Sequence, residues 1–269
     1  MRRYRYSYQS ILRFEVPVDR HDFCLRCLPC DNACQHIVSE ELHIRPASHV
    51  LQGLDGQQNR IQYGHTNEPH DAFLFTCNGE VELSAYRLPE TGRVGLYRVE
   101  SRLTTVGPEL ERLFRSLRLS DGARVADKAM QIASAVCDAM SYTPESTNND
   151  TTAEAALARR QGVCQDNAHI CIALCRLCGI VARYVNGFVT GTGATHAWVE
   201  VLTEAGYWIG IDPTANRRAE EGYIQIAHGR EASDCPVNRG LFRGAPTGQR
   251  AEVRVIVEPI EYPQANPLI

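Results

Sequence analysis

Residues Gln161 to Ile180, QGVCQDNAHICIALCRLCGI, place four cysteines in a stretch of twenty residues. At 100° per residue, Cys171, Cys175 and Cys178 fall within about 40° of Cys164 around a helix. The opposite sector of the same helix carries polar side chains, namely Gln165, Asp166, His169 and Arg176. The pattern predicts an amphipathic helix whose inner face is lined with small, soft side chains.

Cys164 differs from the other three cysteines by its position at the start of this helix. Along a helix, Cys164 and Cys178 would lie about 21 Å apart, so the four thiols cannot converge on one zinc ion. We expect Cys171, Cys175 and Cys178 to be core thiols. A helix N-terminus carries partial positive charge and unpaired N–H groups, which favour a thiolate and can stabilise an oxyanion. The sequence therefore predicts Cys164 as a nucleophile.

A nucleophilic cysteine needs a base and a group that orients the base. His169 would lie about 140° around the helix from Cys164, so it faces away from the thiol. His196 opens the run THAWVEVL, and Asp212 ends the run GYWIGID. A turn at Thr203 to Gly206 would join the two runs as a hairpin with His196 opposite Asp212, their Cβ atoms roughly 5 Å apart. A one-residue slip would put them on opposite faces, and the sequence leaves the register open.

The rest of the chain divides at about residue 105. Residues 1–105 are predicted to form an antiparallel β domain, with a hairpin at Asn78-Gly79 in HDAFLFTCNGEVEL and a strand at GLYRVESRL. In residues 106–269, three helical runs precede the cysteine helix, and these are PELERLFRSL, ARVADKAMQIASAVCDAM and AEAALARRQ. Strands follow, and the last, at about 251–261, could return to the N-terminal sheet. The predicted class is α+β, with a nucleophile helix packed on an antiparallel sheet.

Composition narrows the range of partners. A net charge of -4 without a basic run argues against nucleic-acid binding. MRRYRYSYQS lacks the apolar core of a signal peptide, and no stretch has the length of a membrane helix. Eleven cysteines without an export signal indicate a reducing cytoplasm. The expected partner is a peptide or amide substrate, and the sequence does not indicate an oligomeric state.

A second cysteine group lies near the N-terminus. Cys24, Cys27, Cys30 and Cys34 have the spacing C-x2-C-x2-C-x3-C, which resembles a bacterial ferredoxin run. No proline follows Cys34, and no second run supplies the ligands of another cluster. Spacing alone is a weak indication of a metal site. We therefore predict no metal and no cofactor, with an iron–sulfur or zinc protein as the alternative.

The motifs GVCQDNAHICIALCRLCGIVARYVNGF, THAWVEV and WIGIDPTAN, in this order, resemble the transglutaminase-like superfamily, whose fold is related to that of papain. The chain is most similar to bacterial transglutaminase-like cysteine proteases with a β-rich N-terminal domain. The resemblance implies Cys164 as nucleophile, His196 as general base and acid, and Asp212 as the residue that orients the imidazole.

Three further residues are candidates for substrate contact. Asn167 stands where the family pattern leads us to expect an aromatic residue, Trp198 shares a face with His196, and Tyr142 lies in the preceding loop. The predicted function is a thiol-dependent amide hydrolase, a cysteine protease or amidase that works through a thioester. The alternatives are a protein-glutamine transamidase and a non-catalytic scaffold for protein interaction.

Overall fold

A computed structural model describes residues 1–92, 94–244 and 248–261. These residues fold into mostly antiparallel sheets and four α-helices. The α+β class predicted from the sequence is confirmed. Sheets dominate residues 1–92, and the α-helices of the described residues lie within 108–177.

Two antiparallel sheets form the N-terminal part. The first contains, in spatial order, β11 (Gly191–Gly193), β17 (Gln249–Pro259), β1 (Arg2–Val18), β6 (His70–Leu83) and β3 (Gln35–Arg45). The second contains β16 (Asn238–Arg243), β2 (Arg20–Leu25), β5 (Arg60–Thr66) and β4 (His49–Leu54). Strand β17 pairs with β1 from Tyr4 to Phe14, so the last described strand lies in the sheet that opens the chain.

The hairpin predicted at Asn78-Gly79 is wrong. β6 runs straight through both residues, because its alternation of buried side chains continues from Phe73 to Leu83. Gly79 serves close packing instead, since a Cβ there would lie 2.2 Å from the carbonyl oxygen of Ser39 and 2.7 Å from Oη of Tyr6. The glycine therefore marks a close approach between strands rather than a turn.

The strand predicted at GLYRVESRL is also wrong. Val94–Tyr97 and Arg102–Thr104 form short 3₁₀ turns. Tyr97 and Leu103 lie in these turns and are buried, so their side chains anchor an irregular segment to the core. In so short a run, hydrophobic periodicity cannot distinguish a β-strand from an irregular segment with 3₁₀ turns.

Four helices follow this segment. They are α1 (Pro108–Ser116), α2 (Val125–Ala139), α3 (Ala153–Arg159) and α4 (Cys164–Leu177), each lying within a run predicted to be helical. A two-residue parallel pair, β8 (Ser141–Tyr142) with β9 (Gln161–Gly162), joins the end of α2 to the start of α4.

A third antiparallel sheet packs against α4. Its order is β14 (Arg217–Ala219), β13 (Tyr207–Asp212), β12 (His196–Leu202), β10 (Ala182–Val189) and β15 (Tyr223–Gly229), and the short β7 (Leu88–Pro89) pairs with β13. Phe188 of β10 contacts Tyr6 and Tyr8 of β1, with ring centroids 5.9 and 5.0 Å away. The third sheet is thus joined to the N-terminal sheets by an aromatic core.

Helix α4 is not amphipathic in the way the sequence predicts. Every residue from Asp166 to Arg176 is buried, including the polar sector. Arg176 donates hydrogen bonds to Oγ1 of Thr104 at 2.7 Å and to the carbonyl oxygen of Arg230 at 2.9 Å. Burial lowers the pKa of this guanidinium to about 10. The polar face is therefore covered by the 3₁₀ segment and by the loop after β15, contacts that lie far from α4 in the sequence.

We expect Gly187→Ala to lower the free energy of unfolding by about 1–3 kcal/mol or more, because an added methyl group overpacks this site. Gly187 lies opposite His196, and a Cβ would meet the carbonyl oxygen of Ile224 at 2.1 Å and Cη2 of Trp198 at 2.5 Å. The matched control is Gly193→Ala, where no atom lies within 4 Å of the new Cβ. Chemical denaturation measures both variants, and equal losses of stability would contradict the packing argument.

Candidate active site

Cys164 is the first residue of α4, and its side chain is half-buried. The strand pair β8–β9 brings the chain to this point, and Val163 precedes the helix in an extended conformation. Oδ2 of Asp166 accepts the N–H of Val163 at 2.8 Å and the hydroxyl of Thr147 at 2.6 Å, which anchors the turn. The N–H groups of the first helical turn have no acceptor within the helix, so they are available to an anion beside the thiol.

His196 is the first residue of β12 and lies between Cys164 and Asp212. Its Nε2 lies 2.7 Å from Oδ2 of Asp212. A carboxylate can only accept, so Nε2 carries the proton and Nδ1 is the nitrogen left for the thiol. Burial lowers the pKa of His196, but hydrogen bonds with Asp212 and with Cys164 outweigh it and raise the pKa to about 9.

The hairpin that carries His196 and Asp212 has a register two residues away from the predicted one. The turn occupies Thr203 to Gly206, between β12 and β13, as predicted. Val199 pairs with Ile211 and Leu202 with Trp208, and this register continued places Trp198, not His196, opposite Asp212. A shift of two residues keeps side chains on the same face, so His196 reaches Asp212 diagonally.

Asp212 is 1% exposed, and its carboxylate accepts four hydrogen bonds. Oδ1 accepts the backbone N–H groups of Thr214 at 2.9 Å and Ala215 at 3.0 Å. Oδ2 accepts from His196 and from the hydroxyl of Tyr223, each at 2.7 Å. Burial pushes the pKa of Asp212 upwards, but these hydrogen bonds outweigh it and lower the pKa. The carboxylate is therefore ionised and held in one orientation.

Tyr223 and Arg217 were missed in the sequence analysis. Nε of Arg217 donates to Oη of Tyr223 at 3.0 Å, so the tyrosine hydroxyl is directed towards Asp212. Tyr223 begins β15, which lies on the far side of β10 from the His196–Asp212 hairpin. No motif in the sequence indicates this strand order, whereas the turn residues after Asp212 follow directly from WIGIDPTAN.

The three residues predicted to contact substrate have different surroundings. Trp198 is fully buried and donates through Nε1 to Oη of Tyr86 at 3.1 Å, and its contact with substrate stays a prediction. Asn167 is 4% exposed and donates to Oγ1 of Thr214 at 3.1 Å, so it braces the segment after Asp212, and its contact with substrate stays a prediction. Tyr142 is exposed, and the thiol of Cys164 is near enough to contribute, after burial, to the raised pKa of the phenol.

The four N-terminal cysteines have separate surroundings. Cys27 contacts Oε1 of Gln62 at 3.6 Å, Cys30 contacts the carbonyl oxygen of Ile226 at 3.2 Å, and Cys34 accepts the N–H of Arg87 at 3.2 Å. Cys24 lies in the strand pair of β2 with β5. Within residues 1–92, 94–244 and 248–261, no three His, Cys, Asp or Glu side chains are grouped as metal ligands.

No helix in the described part of the chain is long and apolar enough to cross a membrane.

Comparisons with known proteins agree with this architecture. Residues 115–213 match the family model of the transglutaminase-like superfamily, and residues 4–82 match that of the bacterial transglutaminase-like N-terminal region. An uncharacterized protein of Mycobacterium tuberculosis is 28% identical over 96% of this chain and 93% of its own length. An uncharacterized protein of Mycobacterium leprae is 24% identical over 81% and 85% of the two chains.

A crystal structure described as a "putative cysteine protease" from Cytophaga hutchinsonii has the same fold. The two chains superpose with a TM-score of 0.82 at 21% identity, over 98% of this chain and 93% of the other. The match at residues 115–213 includes α4 and the hairpin that carries His196 and Asp212. The match at residues 4–82 includes most strands of the two N-terminal sheets. Residues 115–213 therefore belong to the transglutaminase-like superfamily, and residues 4–82 form a bacterial transglutaminase-like N-terminal region.

Proposed function

We propose that this chain is a thiol-dependent amide hydrolase, acting on a peptide or a related amide through Cys164, His196 and Asp212. One observation carries the proposal. His196 is bonded to a buried, ionised Asp212 on one ring nitrogen, and the thiol of Cys164 interacts with the same ring. A base oriented by a third group and directed at a nucleophile is the arrangement that nucleophilic catalysis requires.

The chemistry follows from these positions. The thiolate of Cys164 attacks the amide carbonyl carbon, and the oxyanion that forms is stabilised by N–H groups at the start of α4. The protonated His196 gives its Nδ1 proton to the departing amine, which leaves a thioester on Sγ. Water then loses a proton to Nδ1 and attacks the thioester, so the acid is released and the thiol is restored.

Asp212 supports both steps without entering the reaction. Its bond to Nε2 fixes the tautomer, so the basic nitrogen is Nδ1, and its charge stabilises the imidazolium. The four hydrogen bonds it accepts keep this charge in place in a buried setting. Trp198 and Tyr223 surround the imidazole, with ring centroids 6.4 and 6.3 Å from that of His196.

We predict that Cys164 is alkylated by a low dose of iodoacetamide at pH 7 before Cys178, because Cys164 is paired with His196. Cys178 is a matched internal control, since it is also half-buried, lies at the other end of α4, and has its pKa raised to about 11 by burial. Peptide mass mapping measures both rates. His196→Ala should remove the preference for Cys164, and equal rates in the wild type would contradict an activated thiol.

Cys164→Ala should abolish hydrolysis of peptide amides, and Asp212→Asn should slow it by on the order of 100-fold or more, since the imidazole loses its oriented tautomer. Cys178→Ser is the control and should keep wild-type rates. Release of amine from a peptide library measures the reaction, and added hydroxylamine separates hydrolysis from transfer to an amine. A Cys164→Ala protein that still cleaves these amides would overturn the assignment.

We expect an NMR titration to place the pKa of His196 near 9. Asp212→Asn should lower it by about one unit or more, because the largest interaction that raises the pKa is lost. Glu41→Gln is the matched control, as it removes the exposed carboxylate that lies 2.9 Å from His43 and should not affect His196. A pKa near 6.5 in the wild type would contradict the pairing.

The same shift makes stability depend on pH. The pKa of His196 is higher in the folded than in the unfolded protein, so its contribution is complete below about pH 6.5 and is lost as the pH rises through about 9. Between the pKa that His196 has in Asp212→Asn and about 9, the wild type should lose up to about 1.4 kcal/mol of stability per pH unit relative to that variant. Urea denaturation at several pH values measures the difference, and parallel curves would contradict it.

A further inference from the structure

A cavity of about 480 Å³ lies beside the proposed triad. Its lining includes Gln165 and Thr195, which are the chain neighbours of Cys164 and His196. It also includes Tyr184, whose phenol lies near the thiol of Cys164. Since these residues flank both reacting groups, the cavity lies where part of a substrate bound at Cys164 would extend.

The opposite wall of this cavity is formed by the loop after β15 and by the start of β16, including Ser233, Asn238 and Arg239. The side chains that face the cavity are mainly amides, hydroxyls and guanidinium groups. Such a lining favours a polar or charged group over an apolar side chain.

The charges on the cavity wall do not cancel. Arg102, Asp150 and Arg239 all line it, and Arg102 is paired with Asp150 at 3.0 Å. Arg239 is exposed, and within the described part of the chain its guanidinium donates only to the carbonyl oxygen of Ser233, at 3.3 Å. Among the described residues, no carboxylate lies within ion-pair distance of it. Of the charges that the described residues place on this wall, one positive charge therefore remains without a counter-charge.

The nearby carboxylates are occupied elsewhere. Asp234 is bound by Arg230 at 2.9 Å. Glu231 is 2% exposed and accepts the backbone N–H of Leu103 at 2.6 Å. Neither is available to Arg239, and Asp150 on the cavity wall is paired with Arg102, so an anion that enters the cavity meets a guanidinium that no described carboxylate binds.

We propose, on the basis of the hydrolase function above, that Arg239 selects substrates with a carboxylate side chain, aspartate or glutamate, close to the amide bond that Cys164 attacks. The guanidinium offers several N–H donors in a planar fork that suits a carboxylate. The cavity lies next to the nucleophile, so the pairing orients the acyl group at the moment of attack. Arg239 is then a specificity-determining residue that touches substrate and takes no proton.

The first test uses two alkylating reagents of similar size, iodoacetate and iodoacetamide. Each forms a bond from Sγ to a methylene carbon and releases iodide, and only iodoacetate carries a carboxylate. In Arg239→Gln, the ratio of the iodoacetate rate to the iodoacetamide rate at Cys164 should fall about two- to fivefold. High salt should shrink the difference by screening.

Arg243→Gln is the matched control, because Arg243 is an exposed arginine on the same strand and does not line the cavity. It makes the same change in net charge. A ratio that is unchanged in Arg239→Gln, or that falls equally in Arg243→Gln, would overturn the proposal. The contribution of His196 to anion attraction is common to all these proteins, so it cancels in the comparison.

The second test uses peptide amides that differ only by glutamate or glutamine next to the scissile bond. Arg239→Gln should lower kcat/KM about fivefold for the glutamate peptide and leave the glutamine peptide within about twofold. Equal cleavage of both peptides by the wild type would refute the selectivity while leaving the hydrolase proposal intact. If neither peptide is cleaved but the alkylation ratio still depends on Arg239, the hydrolase proposal fails and the anion site beside Cys164 stands.

Discussion

The interaction on which the site depends is the burial of the Asp212 carboxylate. An ionised carboxylate with 1% exposure is costly unless every lone pair is used, and here two backbone N–H groups, an imidazole and a phenol supply the donors. The four donors come from three places in the chain, so the carboxylate ties the turn after β13 to the starts of β12 and β15. The N–H groups of the turn bind Oδ1, so Oδ2 is the oxygen left for the imidazole. The orientation of His196 is therefore a consequence of this network.

The strand that carries His196 is held by a second buried network on the same face. Trp198 and Glu200 follow His196 at two-residue intervals, and Tyr86 accepts from Nε1 of Trp198 at 3.1 Å and donates to Glu200 at 2.7 Å. Glu200 is also paired with Arg183 directly across the strand. The guanidinium of Arg183 lies 4.3 Å from the ring centroid of Trp208. Removing one member of such a buried pair leaves an uncompensated charge. A substitution in this network should therefore cost more stability than one in a surface ion pair.

The sequence predicts the parts of the molecule that depend on local chemistry. The start of α4 at Cys164 and the turn at Thr203 to Gly206 follow from helix periodicity and turn composition, whereas the face shared by His196 and Asp212 depends on a register that the sequence leaves open. The errors come from tertiary packing. Asn78-Gly79 has the composition of a turn, but Gly79 is required by the ring of Tyr6. The polar side of α4 would suit a solvent-facing helix, but Arg176 finds oxygen partners on segments distant in the sequence. Tyr223 could not be predicted at all, because its contact with Asp212 depends on strand order.

Burial also explains how one chain can carry eleven cysteines and direct chemistry to one of them. Burial raises the pKa of Cys77 to about 12 and that of Cys178 to about 11, so these thiols stay protonated at neutral pH. Cys171 and Cys175 are fully buried in the core around α4 and cannot be reached by a substrate. Of the four cysteines along α4, only Cys164, the first residue of the helix, lies beside unpaired N–H groups and an imidazole. The face of α4 that carries these cysteines is therefore a packing surface, and Cys164 is its reactive member because the helix begins there.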